Sequence, residues 1–502
     1  MGTDAHSGGL RSISPIRRKG AIQRCALGML ATVALLSGCY QFLPSRGGGQ
    51  TAFSAPRMIQ PADVMVPDGY RVEAVASGFT FPTGIAFDGA GNPYVTESGY
   101  SYGEVFLKPR LLRILPDGST QTIAEVPGNG PWNGVAWHEG AFYVAEGGAL
   151  EGGRILRIVP GQPPVPLAEG LPSIGDHHTN GPVIGPDGWI YFGQGTATNS
   201  GVVGTDSHEF GWLERHPRFH DVPCRDITLT GANYTSPNPL TAPADEVVTG
   251  AYVPFGTPTT PGQVVQGTVP CNGAVLRVRP EGGQVELVAW GFRNPFGLAF
   301  ARDGTLYVTE NGHDDRGSRP VWGTADHLWR VEPGRWYGWP DYSGGDPLSR
   351  PRYAPPGEAP LQPVLADPPG DPPAPVAYFG VHSSSNGLDL APPAFGHAGE
   401  VFIAQFGDMA PDVGKVIEPV GFRVVRVDPA TGAVHDFAVN RQGNGPASLL
   451  ETGGLERPVA VRFSPDGAAL YVVDFGVLVM TEDGPSPKPG TGVVWRISRM
   501  GR

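Results

Sequence analysis

Apolar and polar residues alternate along this chain in short runs, and the runs recur on one plan. Six segments begin near Pro82, Asn133, Asn180, Asn294, Asn386 and Arg457, each with an alternating stretch, a turn and a second stretch. A period of two marks a half-buried strand. The turns include Gly185-Pro186-Asp187-Gly188, Arg302-Asp303-Gly304 and Ser464-Pro465-Asp466-Gly467. Proline presets φ there, aspartate accepts backbone amides and glycine takes the left-handed conformation. The second stretches end at Glu97, Glu146, Gln194, Glu310, Gln405 and Asp474, with glycine one or two residues beyond.

A third strand follows each pair, at Arg110 to Leu115, Arg154 to Val159, Ala274 to Val278, Leu328 to Val331, Arg423 to Val427 and Val493 to Ile497. Several continue into a fourth, such as Thr122 to Val126 and Val285 to Val288. Four antiparallel strands repeated six times predict an all-β, six-bladed β-propeller. The last unit ends after its third strand, and Tyr70 to Ala76 supplies the missing one. Pairing the two ends leaves no open seam in the ring. The propeller is expected over 67–502, with insertions at about 196–270 and 342–375.

Composition agrees with this pattern. Glycine (74) and proline (54) are abundant in 502 residues, and charged residues make up only 17%. The 40% of hydrophobic residues is spread along the chain, which argues against disorder. A net charge of −12 excludes a nucleic-acid partner, since nothing would neutralise phosphates.

The first 39 residues read as an export signal. Arg17, Arg18 and Lys19 precede an apolar run, Ala26 to Leu36, that is too short to span a bilayer. Leu36-Ser37-Gly38-Cys39 resembles a bacterial lipobox, which makes Cys39 the lipidated N-terminus. The expected location is the periplasmic or outer face of a bacterial membrane, with 40–66 as a flexible tether. Cys224 and Cys271 then remain, and an even pair in an oxidising compartment predicts a disulfide.

In a four-stranded blade the innermost strand starts, and the second strand ends, on the same face. Asp176-His177-His178, Arg293-Asn294, His382 to Asn386 and Arg457 should therefore share one rim with the second-strand ends and Asn311-Gly312-His313-Asp314-Asp315. Such a collection suits an anionic cofactor, a cation and a general base. Each residue also has a structural use. An arginine at a strand start bonds carbonyls of the neighbouring blade, and for Arg457 the two readings weigh equally. No P-loop, dinucleotide glycine signature, zinc motif or Gly-x-Ser-x-Gly elbow stands where it would act.

From Gly291-Phe292-Arg293-Asn294-Pro295-Phe296-Gly297 through Thr309-Glu310-Asn311-Gly312-His313-Asp314-Asp315 to Asp326, the sequence resembles the soluble pyrroloquinoline-quinone (PQQ) sugar dehydrogenases. With Asp314-Asp315-Arg316-Gly317 and Trp336-Tyr337-Gly338-Trp339-Pro340-Asp341-Tyr342 it is most similar to the glucose/sorbosone dehydrogenases. The resemblance implies His177 as general base, with Arg293, Asn294 and Arg457 holding PQQ. It implies the backbone carbonyls of Gly312 and His313 as Ca²⁺ ligands, with Asp326 nearby. The substrate would be a sugar or sugar aldehyde, and the electrons would pass to a periplasmic acceptor. Two positions depart from the glucose enzymes. Gln405-Phe406-Gly407-Asp408 lacks their cofactor-binding lysine, and His313 replaces a proline. Two other functions suit the same rim: a calcium-dependent lactonase-like hydrolase, with side-chain carboxylates on the metal, and a propeller that binds glycans or proteins without chemistry.

Overall fold

The computed structural model describes residues 44–49, 53–241, 245–481 and 484–500. The propeller lies within one compact unit, Ser45–Arg502. The export signal and Cys39 lie outside the described residues.

Six sheets of antiparallel strands form the blades, and their innermost strands run Pro82–Phe87, Trp132–His138, Thr179–Ile184, Pro295–Phe300, Ser385–Leu390 and Pro458–Phe463. The second strands end at Glu97, Glu146, Gln194, Glu310, Gln405 and Asp474, as the repeat predicts. Aspartate fixes the turns between them: the amides of Trp189, Thr305 and Ala468 donate to Asp187, Asp303 and Asp466. The ring closes as expected. Tyr70–Phe79 pairs with Gly492–Arg499, with Val72 opposite Ile497 and Ala74 opposite Trp495.

Each blade packs on the next through its own apolar cluster, so the core is a ring of six interfaces. The seam between the sixth and first blades joins Phe475 and Val473 to Phe81 and Val95, all buried. Removing such side chains from water supplies about 1.5–3 kcal/mol each.

The first insertion carries two short helices, Asp206–Glu209 and Trp212–Arg215, and two small two-stranded sheets, one of them a hairpin nested in the loop of the other. It bonds to the second insertion, with Thr230 N donating to Val364 O and Ala366 N to Thr228 O. Cys224 and Cys271 are disulfide-bonded across it, with their Cα atoms 5.0 Å apart.

The stretch expected as a tether is attached where it is described. Val64–Met65 pairs with the outer strand of the fifth blade. Arg46 N donates to Val416 O at 3.0 Å, Gly48 N to the Asp408 carboxylate at 3.2 Å, and Met480 N to Gly49 O at 2.6 Å. Glycine is needed in this strap because a Cβ at position 48 would stand 2.4 Å from the Phe422 ring.

The disulfide closes a loop of 47 residues, for which the chain-entropy account gives about 4 kcal/mol. The double variant Cys224→Ser, Cys271→Ser should lose about 2–4 kcal/mol in denaturant unfolding, with the far-ultraviolet dichroism of the propeller unchanged.

Candidate active site

Strand pairing places the rim. Thr179 faces Gln194, Pro295 faces Glu310, Ser385 faces Gln405 and Pro458 faces Asp474, so starts and ends share one face. The side chains ending the second strands turn into the blades rather than into the opening. Glu310 accepts from Arg293 N at 2.5 Å and Trp329 Nε1 at 2.5 Å. Asp474 accepts from the amides of Glu456 and Arg457 and from Trp495 Nε1. These carboxylates fix the loops that carry the site, and they do not line its cavity.

Above them opens a cavity walled by His177, His178, Arg293, Asn294, Gly312 and Asp326. His177 Nδ1 lies 3.1 Å from Thr196 O, a carbonyl that only accepts, so Nδ1 carries the proton and Nε2 keeps its lone pair. Burial, with Arg293 and Arg316 close by, holds the imidazole well below the usual histidine range, against Asp314. His178 is arranged alike, with Nδ1 3.0 Å from Ser173 O. Its ring lies among Tyr100 and Trp212, and burial brings its pKa down to about 4. Both histidines are therefore neutral bases at the wall, one beside the arginines and one in an aromatic box.

Arg293 is 2% exposed and bonded on three sides. Nε donates to Asn199 O, Nη1 to Gly312 O at 2.6 Å and Nη2 to Asp314 at 2.6 Å. Asn294 passes a chain of amide bonds from Asn180 to Asn311 along the channel mouth. The His313 carbonyl accepts from Thr324 Oγ1, and neither ring nitrogen of His313 has a partner. Asp326 accepts from Gly312 N, Ser383 Oγ and Ser385 N, which binds together the two loops on either side of it.

Arg457 is placed differently from the other expected cofactor residues. It stands behind the wall with Nη1 on the carbonyls of Gly407 and Asp408 in the neighbouring blade, between the rings of Phe406 and Phe422. The strap covers it: a Cβ at Gly49 would meet Nη2 at 2.7 Å, and Nη2 has no hydrogen-bond partner. The structure thus gives Arg457 the blade-bonding use and leaves one of its nitrogens unsatisfied.

Several residues of the wall were not singled out from the sequence. Tyr102 lies over the opening, and Phe210 and Trp212 come from the first insertion. Arg316 sits among Asp176, Asp206 and Asp314. Burial would lift the Asp314 carboxyl, but Arg293 and Arg316 hold it far below the usual carboxylate range. Glu104, His382 and Ser384 line the same cavity with φ of 57°, 62° and 49°. Non-glycine residues in that region are strained, and such strain gathers at functional sites. Among the described residues no three His, Cys, Asp or Glu side chains converge as a metal site.

Residues 265–368 match the family described as Glucose / Sorbosone dehydrogenase. No curated protein matches the chain. The calcium structure of a family AA12 carbohydrate-active enzyme from Trichoderma reesei is 14% identical, covers 89% of this chain and 99% of its own, and has a TM-score of 0.51. That likeness shows the fold. The PQQ-bound aldose sugar dehydrogenase of Streptomyces coelicolor is 18% identical over 86% of this chain and 99% of its own, with a TM-score of 0.49. The holo PQQ domain of pyranose dehydrogenase from Coprinopsis cinerea is 17% identical over 91% and 100%, also at 0.49. Residues 265–368, with Arg293, Asn294, Gly312, His313 and Asp326 among them, are thus similar to the glucose/sorbosone dehydrogenase family and lie within a six-bladed propeller.

Proposed function

We propose that this protein is a PQQ- and Ca²⁺-dependent dehydrogenase of a sugar or sugar aldehyde. One observation carries the reading. His177 presents an unprotonated Nε2 to a cavity whose arginine and amide wall, Arg293-Asn294, lies in the segment that matches the family.

The wall suits both groups chemically. Arg293 and Asn294 line the cavity and offer N–H donors to a polycarboxylate, whereas Arg457 lies under the strap and does not line it. Oxygen is the donor a hard cation takes, and Gly312 and Asp326 line the cavity; a cation there would replace the bonds that the Gly312 and His313 carbonyls now make to Arg293 and Thr324. Asp176, Asp314, Asp326, Asp412 and Glu104 outnumber Arg293 and Arg316 around the opening. A divalent cation held at this acidic wall would supply positive charge that the missing lysine does not. When bound, PQQ supplies a two-electron acceptor for hydride from the sugar carbon, and Ca²⁺ polarises its carbonyl.

The chain's own residues do the rest. Nε2 of His177 takes the proton of the reacting hydroxyl, and the bond from Nδ1 to Thr196 O steadies the imidazolium that forms. Tyr100, His178 and Trp212 make an aromatic wall that keeps water from one side. The lactonase-like reading calls for side-chain carboxylates that converge on a metal; among the described residues no such group is found, and the three carboxylates that do meet at the mouth are taken up by Arg316. Export and lipidation at Cys39 complete the proposal and bring the site to a periplasmic electron acceptor. Palmitate labelling of the expressed protein, lost in Cys39→Ala, checks that part.

Purified protein mixed with PQQ and Ca²⁺ should show saturable binding by absorbance and dye-linked turnover with a panel of aldoses. Absence of saturable binding overturns the reading, and glycan binding without turnover favours the non-catalytic propeller. His177→Ala should lower kcat about 10²–10⁴-fold with PQQ binding retained. A full effect from His178→Ala instead would move the base by one residue.

The depressed His177 pKa fixes the sign of the pH dependence. Its neutral form persists as pH falls through 6.5, so kcat/KM of the wild type should hold there and decline only at lower pH.

A further inference from the structure

Arg316 joins three separate parts of the chain at the mouth of the cavity. Its side chain is 12% exposed, in the loop between the second and third strands of the fourth blade. Nη1 donates to Asp206 at 2.5 Å, Nη2 to Asp176 at 2.9 Å and Nε to Asp314 at 3.1 Å. The Phe210 ring lies 5.2 Å from the guanidinium. Asp206 begins the first short helix of the insertion, Asp176 precedes His177, and Asp314 pairs with Arg293.

The rest of the insertion is held by other groups. Arg319 bonds Ser200 O and Asp341, and Arg293 bonds Asn199. The helical part, residues 206–215, is tied down by Arg316 at one end, by the Arg215–Glu104 ion pair, at 2.6 Å, at the other, and by Trp212 packed on Tyr100 and Ala149 between them.

We propose that Arg316 is a positioning residue. It clamps segment 204–215 over the cavity as a fixed wall and, through Asp176, fixes the backbone that leads into His177 while its charge acts on the imidazole. The proposal rests on His177 being the base.

The chemistry favours arginine here. A planar guanidinium reaches three carboxylates with its forked N–H groups, which an ammonium on a flexible stem does not. Without it three buried carboxylates would face one another; burial, with Asp176 nearby, already pushes the Asp206 carboxyl up to about 6. The same charge acts on the base. Arg293, Arg316 and Asp314 are the charged groups acting on His177, and Asp176 adjoins it in the chain. Removing Arg316 deletes one of the two cations that disfavour the imidazolium, so the His177 pKa must rise.

Three variants of the full chain test this: Arg316→Gln, Arg316→Lys and Asp206→Asn. Hydrogen exchange of 204–215 should quicken about tenfold or more in Arg316→Gln and Asp206→Asn, with 196–201 unchanged, because about 1.4 kcal/mol of local stability is a factor of ten. Asp206→Asn also removes an excess carboxylate, so it should fold even where Arg316→Gln does not.

The His177 titration, followed by NMR of labelled imidazoles against His177→Ala, should move up in Arg316→Gln and stay near wild type in Arg316→Lys. In turnover the acid limb of kcat/KM should move the same way. Unchanged exchange at 204–215 overturns the clamp, and an unmoved His177 titration overturns its hold on the base. Exchange and NMR need no turnover, so a wild-type protein that fails to oxidise sugars sinks the functional reading without deciding this one.

Discussion

The side chain that ends each second strand holds the start of its own blade's innermost strand, and the site depends on that grip. Glu97 takes Thr80 N, Glu146 takes Trp132 Nε1, and Thr179 Oγ1 donates to Gln194. Glu310 and Asp474 take the amides of Arg293 and Arg457, and Gln405 donates to Ser385 Oγ. All six are buried, where charge-assisted bonds are strong and an unmet donor costs about 1–3 kcal/mol. The grip sets where each loop leaves its blade. Six loops released on one face, at fixed positions, make the mouth in which His177 and Arg293 meet.

The fold was legible because its determinants are local and repeated. Alternation, Asp-Gly turns and a polar second-strand end recur in every unit, and the ends of all six second strands are where the pattern puts them. The site was legible where residues belong to the repeat or to the fourth-blade motif. His177, Arg293, Asn294 and Asp326 do come together at one opening.

What escaped lies in parts that do not repeat. Phe210, Trp212 and Asp206 come from an insertion with no periodicity to read, and its partner Arg316 had one signal, the Asp314-Asp315-Arg316-Gly317 sequence. The rim carboxylates looked like ligands because the sequence shows which face a residue shares and not which way its side chain turns. Arg457 illustrates the same gap. Its place at a strand start was evident, but a glycine strap about 400 residues upstream in sequence now lies over it.

That strap has a practical side. Residues 45–49 lie on the rim of the opening, beside Asp408 and Met480, whereas the last strand runs the other way and Met500 finishes beside Gly69. The two ends of the propeller therefore leave by opposite faces. Fixed to an electrode or resin through its carboxyl end, the disc would lie with its opening outward, clear for substrate and dye. Fixed through the strap, it would present its other face.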